Sequence, residues 1–268
     1  MRAVLTVAGS DSSGGAGIQA DIKTIEALGL FAESAITSLT AQNTTGVYGV
    51  EDVAPAFVGQ QIDVVFDDIR PDAVKIGMVS SVAIVDAVAD ALGRNNARHV
   101  VVDPVMVATS GSSLIADGAA LRVAERLFPL AEVVTPNIPE AEALSGFAIA
   151  ARDDIVRAAE VIAGKVEGNV PAVLVKGGHG VGSPDSADDL LRMPDGELIW
   201  LNGRRIENDN THGTGCSLSS AIACGLAAGQ GVEDAVRNAK AYVAGAIGAG
   251  LDLGRGSGPL DHMWQYRV

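Results

Sequence analysis

Ala3-Val4-Leu5-Thr6-Val7-Ala8 is followed by Gly9-Ser10-Asp11-Ser12-Ser13-Gly14-Gly15-Ala16-Gly17, and then by Ile18, Ile22, Ile25 and Leu28 at helical spacing. The first six residues are a short, nearly continuous apolar run, as expected of a strand covered on both faces. The glycines and serines that follow cannot continue a regular element and read as a loop. The isoleucine stripe then reads as a helix. Strand, loop and helix in this order form the opening half of a βαβ unit.

The pattern repeats outward from there. Residues 31–39 are rich in β-branched residues and end at Thr40-Ala41-Gln42-Asn43. A polar helix is expected over 58–68, a strand over 73–76, and a helix carrying Ile84, Val85, Val88 and Leu92. Residues 99–102 form a strand that stops at Asp103-Pro104, and Val133-Val134 leads into Thr135-Pro136-Asn137. Ile155, Ala158, Ala159 and Ile162 form another helical stripe, and 172–175 runs into Lys176-Gly177-Gly178. This alternation predicts an α/β fold with a parallel sheet wrapped in helices. Polar residues gather at the C-terminal strand ends, where open α/β sheets bind ligands. Residues 180–208 are polar with turn signals and read as hairpin-like, and 180–189 have the composition of a lid. Two long helices are expected over 213–228 and 232–249. No repeat or linker interrupts the chain, which reads as one domain over 1–268.

The chain has 268 residues, 48% hydrophobic but only 4% aromatic, so Ala, Val, Leu and Ile build the interior. Its net charge of −14 excludes a general affinity for nucleic acid or anionic membranes. The same charge repels a nucleotide polyphosphate, so any such ligand needs local compensation by a lysine, a metal ion or a helix N-terminus. Cys216 and Cys224 lie roughly 12 Å apart along one expected helix, too far for a disulfide. Free thiols suit a reducing compartment, and a cytoplasmic location is expected. The N-terminus does not read as a signal peptide, and no run approaches the ~20 apolar residues of a membrane span.

Asn210-Thr211-His212-Gly213-Thr214-Gly215-Cys216-Ser217 supplies such compensation. It leads into a helix whose apolar face is Leu218, Ile222 and Leu226. A helix N-terminus has unpaired N–H groups and a partial positive charge, and Gly213 and Gly215 let a phosphate approach the backbone. Cys216, in the first turn, is expected to have a lowered thiol pKa and to serve as a proton acceptor. The competing reading is a small buried hydrophobe at a helix start. Cys224 reads as core. His212 either orients phosphate or packs.

The segment 211–216 resembles the anion-hole motif of ribokinase-like kinases. Cysteine at the position of Cys216 resembles the hydroxymethylpyrimidine kinase branch and related pyridoxal kinases. The resemblance runs through residues 8–24, Thr40-Ala41-Gln42-Asn43-Thr44, Lys75-Ile76-Gly77-Met78, Asp103-Pro104-Val105-Met106, Thr135-Pro136-Asn137, Val175-Lys176-Gly177-Gly178-His179 and Gly258-Pro259-Leu260. It implies a ribokinase-like three-layer α/β/α sandwich with a mostly parallel central sheet. It also implies ATP-dependent phosphorylation of hydroxymethylpyrimidine and of its monophosphate in thiamine biosynthesis, with Mg²⁺, and a homodimer.

By the same resemblance Cys216 is the catalytic base, and Gly213, Thr214 and Gly215 form the anion hole. Lys176 contacts the ATP phosphates, and Thr211 and Asn137 belong to the nucleotide site. Gln42 pairs with the pyrimidine, while Asp21, Gly9, Met78 and Val105 line its pocket. Glu140 and Asp103 belong to the metal environment. Several of these residues have simpler readings. Gln42 also reads as a polar strand end, Met78 as core and Lys176 as an exposed strand terminus. Asn137-Ile138-Pro139-Glu140 has the spacing of a helix capping box.

Other classes fit less well. Gly15-Ala16-Gly17-Ile18-Gln19-Ala20 matches a dinucleotide fingerprint, yet residues 10–14 separate it from Gly9, and the acidic Glu33 begins the next strand rather than ending it. No lysine lies in a Gly-Lys-Ser/Thr loop. A pyridoxal kinase shares the cysteine, but the extra flap cysteine of its dual-specificity members is missing. A pyrimidine-binding sensor should have lost Lys176, the glycine pair or Cys216. A cysteine hydrolase built on Cys216 and His212 has no evident acid to orient the histidine.

Overall fold

The computed structural model describes residues 1–106, 116, 118–177, 181 and 185–267. The strands are β1 (Ala3–Asp11), β2 (Phe31–Asn43), β3 (Gly46–Asp52), β4 (Ala73–Ile76), β5 (Val100–Val102), β6 (Val133–Val134), β7 (Ala172–Val175), β8 (Asp189–Arg192) and β9 (Leu198–Leu201). The helices are α1 (Gly17–Ala27), α2 (Pro55–Asp68), α3 (Val82–Arg94), α4 (Ala119–Arg126), α5 (Ile138–Ser145), α6 (Arg152–Ala163), α7 (Thr214–Ala227) and α8 (Val232–Ala249).

One sheet runs in the order β3-β2-β1-β4-β5-β6-β7-β8-β9. The pairings from β2 across to β7 are parallel, and the edge strands β3, β8 and β9 are antiparallel. The central strands are buried on both faces because their side chains alternate between two cores. Val173 and Val175 face the core shared with α2 to α6, while Ala172 and Leu174 face the one shared with α1, α7 and α8. Val101 turns away from Val100 and Val102 in the same manner. This division makes a three-layer α/β/α sandwich.

Four elements differ from expectation. β1 extends to Asp11, into the segment read as loop, and β2 extends to Asn43. β3 is a largely exposed edge strand with no buried residue to reveal it. α4 falls where no element is expected. The expected hairpin is present as β8 and β9. The expected lid, 180–189, falls partly outside the described residues, as do Gly178 and His179.

The chain visits β2 and β3 on one side of β1, then returns to build β4 onward on the other. Such a reversal opens a crevice at the C-terminal strand ends.

Candidate active site

That crevice is filled by consecutive strand ends. β1 delivers Gly9 and Asp11, and the segment after β4 delivers Met78. Asp103 and Val105 follow β5, Asn137 follows β6 and Lys176 follows β7. Together with the start of α7 they line one cavity of about 1320 Å³. Every residue assigned to the site from sequence lines this cavity except Asp21.

Asp21 is a correction. It is fully buried on α1, and its carboxylate accepts from Lys75 Nζ at 2.8 and 2.9 Å, Thr6 Oγ1 at 2.6 Å and Ser220 Oγ at 2.8 Å. A carboxylate taken from water needs such partners, and here they fill its acceptor positions behind the cavity wall.

The start of α7 is shaped by close backbone packing. Gly213, the N-cap, has φ 85°, and a Cβ there would lie 1.9 Å from the Gly15 carbonyl oxygen. A Cβ on Gly15 would lie 2.4 Å from His212 Cδ2. The loop after β1 and the approach to α7 therefore touch directly. Asp11 fastens the contact. Its carboxylate accepts the N–H groups of Ser13 at 2.8 Å, Gly15 at 3.1 Å and Ala16 at 2.8 Å, and lies 2.8 Å from His212 Nε2. Burial works against its ionisation, yet the hydrogen bonds from His212 and Ser13 outweigh it and hold the pKa at about 2. Sequence reading gave Asp11 no role and left that of His212 open. The only signal was an Asp followed by Ser-Ser-Gly, the pattern of a side chain that folds back on its own turn.

Cys216 is half-buried in the first turn of α7, where the Gly17 N–H at the start of α1 bonds its sulfur. Burial pushes the thiol up to about 11, against the opposing pull of the Lys75 ammonium and that N–H group; Asp21 and Asp103 add to the rise. This corrects the expected lowering: desolvation of the thiolate outweighs its position at the helix N-terminus. Cys224 is core, as expected, and burial raises its thiol to about 12.

Opposite Cys216 stands a charged cluster. Lys176 is largely buried rather than exposed; its Nζ lies 2.7 Å from Asp103 Oδ1 and 4.0 Å from Glu140 Oε2. Burial opposes the Lys176 charge, but the two carboxylates raise its pKa. Glu140 is pushed up to about 7 by burial and the nearby Asp103 carboxylate, although Lys176 opposes this. The expected capping box is present: Asn137 Oδ1 accepts from the Glu140 N–H at 2.9 Å, and Glu140 Oε2 accepts from the Asn137 N–H at 2.8 Å. Two buried carboxylates share one ammonium, so the cluster is short of positive charge. That deficit suits a divalent cation. Among the described residues no group of three His, Cys, Asp or Glu could hold one alone. The donor set fits Mg²⁺, which takes one or two carboxylates and completes its shell with phosphate and water oxygens.

At the other end of the cavity, the Gln42 amide lies 3.2 Å from Thr40 Oγ1 and 3.3 Å from His212 Nε2. Met78 is 8% exposed, so it both packs and lines the cavity. A separate wall of Leu218, Val243, Ala244 and Ile247 faces residues 204–209.

The family model of phosphomethylpyrimidine kinase matches residues 11–261. The chain belongs to the phosphomethylpyrimidine kinase family. It is 50% identical to the hydroxymethylpyrimidine/phosphomethylpyrimidine kinase of Rhizobium meliloti, over 98% of this chain and 97% of that protein. The crystal structure of phosphomethylpyrimidine kinase from Clostridium difficile aligns with a TM-score of 0.79 at 44% identity, covering 92% of this chain and 100% of that one. An ADP complex of Bacillus subtilis pyridoxal kinase aligns with a TM-score of 0.90 at 33% identity, covering 99% of each.

Proposed function

We propose that this chain transfers a phosphoryl group from ATP to the hydroxymethyl oxygen of 4-amino-5-hydroxymethyl-2-methylpyrimidine, and a second to the resulting monophosphate, giving the diphosphate in thiamine biosynthesis. The observation that carries this reading is the single cavity with Cys216 and the α7 N-terminus between two unlike ends. One end presents the Gln42 amide, the other the Lys176 cluster and an apolar wall. A volume of about 1320 Å³ exceeds the range of roughly 300–1,000 Å³ usual for one ligand, as two substrates require. The Rhizobium meliloti kinase supports the pyrimidine as substrate, and the ADP complex of the pyridoxal kinase supports the nucleotide.

Gln42 pairs with the ring's amino group and nitrogen, and Gly9, Met78 and Val105 flank the ring. The adenine lies on the wall of Val243, Ala244 and Ile247. Thr211, Asn137 and Lys176 face the phosphates. The first-turn N–H groups at Gly213–Cys216 stabilise the moving phosphoryl, whose equatorial oxygens carry the charge in transfer. Cys216 Sγ, as thiolate, takes the hydroxymethyl proton, with Lys75 and the Gly17 N–H favouring that form. Asp103 and Glu140 would hold Mg²⁺, which when bound would supply positive charge against the phosphates. Asp21 acts from behind the wall, by holding Lys75.

The chain works as one unit over 1–268, in the cytoplasm, where both cysteines stay free thiols. Among the described residues no helix is long and apolar enough to cross a membrane. A second copy covers the exposed apolar side chains Leu39, Tyr48, Val50, Phe57 and Val64 of β2, β3 and α2; light scattering that returns a monomer mass rules out this homodimer.

The deciding experiment is ATP consumption with Mg²⁺ against hydroxymethylpyrimidine, its monophosphate, pyridoxal and ribose, with products identified by mass. Turnover of both pyrimidines is the expected result. Turnover of pyridoxal alone moves the substrate while keeping the mechanism. Pyrimidine binding without turnover of any compound sinks the kinase reading.

A further inference from the structure

The two ends of a glutamine amide look alike in shape but differ in chemistry: one donates and the other accepts. Counting protons decides which end of Gln42 faces which neighbour. His212 Nε2 lies 2.8 Å from Asp11 Oδ2. An ionised carboxylate only accepts, so Nε2 carries the proton between them, whatever the state of Nδ1. That leaves the nitrogen no lone pair, so an amide N–H 3.3 Å from it has nothing to donate to, and an oxygen that shares the Asp11-directed N–H suits the position. Thr40 counts the same way. Its single hydroxyl proton goes to the Ser10 carbonyl at 2.8 Å. The Gln42 amide atom 3.2 Å from Thr40 Oγ1 therefore meets lone pairs, and a donor suits it. The structure sets Oε1 beside Thr40 and Nε2 beside His212, but both neighbours demand the amide turned over, with oxygen toward His212 and nitrogen toward Thr40. The reverse sets N–H against N–H at His212 and asks Thr40 for a second proton.

We infer that Asp11, His212 and Thr40 are positioning residues that lock the Gln42 amide, and that the lock makes the enzyme select a ring with an amino group beside a bare ring nitrogen over the same-shaped ring with a carbonyl beside N–H. This rests on the reading of Gln42 as the amide that faces the pyrimidine. In the locked state one oxygen lone pair and one N–H remain for the ring. An aminopyrimidine edge supplies the matching N–H and lone pair. A 4-oxo edge offers the reverse order, and only an amide free to turn over can match it. A site built to pair with a substrate's polar edge rejects a mismatched one strongly, because its own groups are left unpaired.

The test measures kcat/KM for 4-amino-5-hydroxymethyl-2-methylpyrimidine and for its 4-oxo counterpart. The wild type is compared with His212→Asn, His212→Gln and Thr40→Val, and melting temperatures are recorded in parallel. Gln places an amide nitrogen near the position of Nε2, whereas Asn falls short of it. The amino-over-oxo ratio should fall at least about tenfold in His212→Asn and in Thr40→Val, and stay near wild type in His212→Gln. Thr40→Val breaks the lock from its other side, so the inference remains open to refutation if His212→Asn does not fold. Losses that are equal for both substrates and leave the ratio unchanged would mean packing alone, and overturn the inference. A wild type that uses both rings equally overturns it too, without touching the kinase reading. A wild type that uses neither overturns both.

Discussion

At the scale of single residues, the proposed proton transfer turns on a thiol that burial holds at about 11. Its reactive form is scarce at neutral pH, so kcat/KM for hydroxymethylpyrimidine should rise with pH, about tenfold per unit between pH 6 and 9; a flat profile removes the thiolate as base. The second substrate differs. A phosphomonoester is largely ionised at neutral pH, its second pKa being about 6, and its attacking oxygen carries no proton to remove. Cys216→Ala should therefore lower kcat for the hydroxymethyl compound by about 10²–10⁴ and for the monophosphate by much less, as product analysis of each step would show. Equal losses on both steps would assign Cys216 to shaping the anion hole instead. The places of Cys216, Lys176 and Gly213 on one cavity were legible in the sequence because their signals are local: a strand end, a glycine pair, a helix start. Asp21 and His212 were not. Lys75 and Ser220 lie 54 and 199 positions from Asp21, and Asp11 lies 201 from His212.

Among the elements, α7 separates what the fold needs from what the site needs. Gly213 is left-handed and abuts Gly15, so Gly213→Ala should destabilise the protein by roughly 1–3 kcal/mol or more, read as a lowered urea midpoint. Gly215 is the second residue of the helix, where the gain from alanine is smaller than the about 1 kcal/mol of a helix interior. A Cβ on it would lie 3.2 Å from Asp103 Oδ2 and 3.4 Å from Lys176 Nζ. Gly215→Ala should keep or raise the midpoint while reducing kcat/KM for ATP by about 10²-fold or more, the scale of losing one anion-stabilising donor. The sheet was legible where strands are covered on both faces, since their apolar runs stand out. β3 was not, because an edge strand that is mostly exposed carries no such run.

In the whole molecule, buried charge governs stability. Lys75 and Asp21 are both fully buried and ion-paired. Lys75→Met should cost about 3–5 kcal/mol, because it leaves a carboxylate in the core without its counter-charge; adding Asp21→Asn should recover part of this loss in the same denaturation assay. On the other side of β1, Glu33 on β2 is pushed up to about 7 by burial and the nearby Asp72 carboxylate, and its Oε2 has no hydrogen-bond partner among the described residues. The folded state thus holds this proton more tightly than the unfolded chain, and stability is lost as pH rises from about 4.5 to 7. Glu33→Gln should raise the melting temperature at pH 8 and leave it nearly unchanged at pH 4.

Residues 255–259 fasten to two segments that line or adjoin the cavity. Thr44, at the tip of the hairpin that carries Gln42, accepts the N–H groups of Arg255 and Gly256, 211 and 212 positions away. His212 bridges to Pro259, and its N–H bonds the Gly258 carbonyl. During synthesis on the ribosome, β1 and β2 emerge more than 200 residues before Arg255 and Gly256, which fasten the loop between β2 and β3. A nascent chain stalled before residue 253 would carry the glycine loop, the lysine and the cysteine, and still lack a finished chamber for phosphoryl transfer.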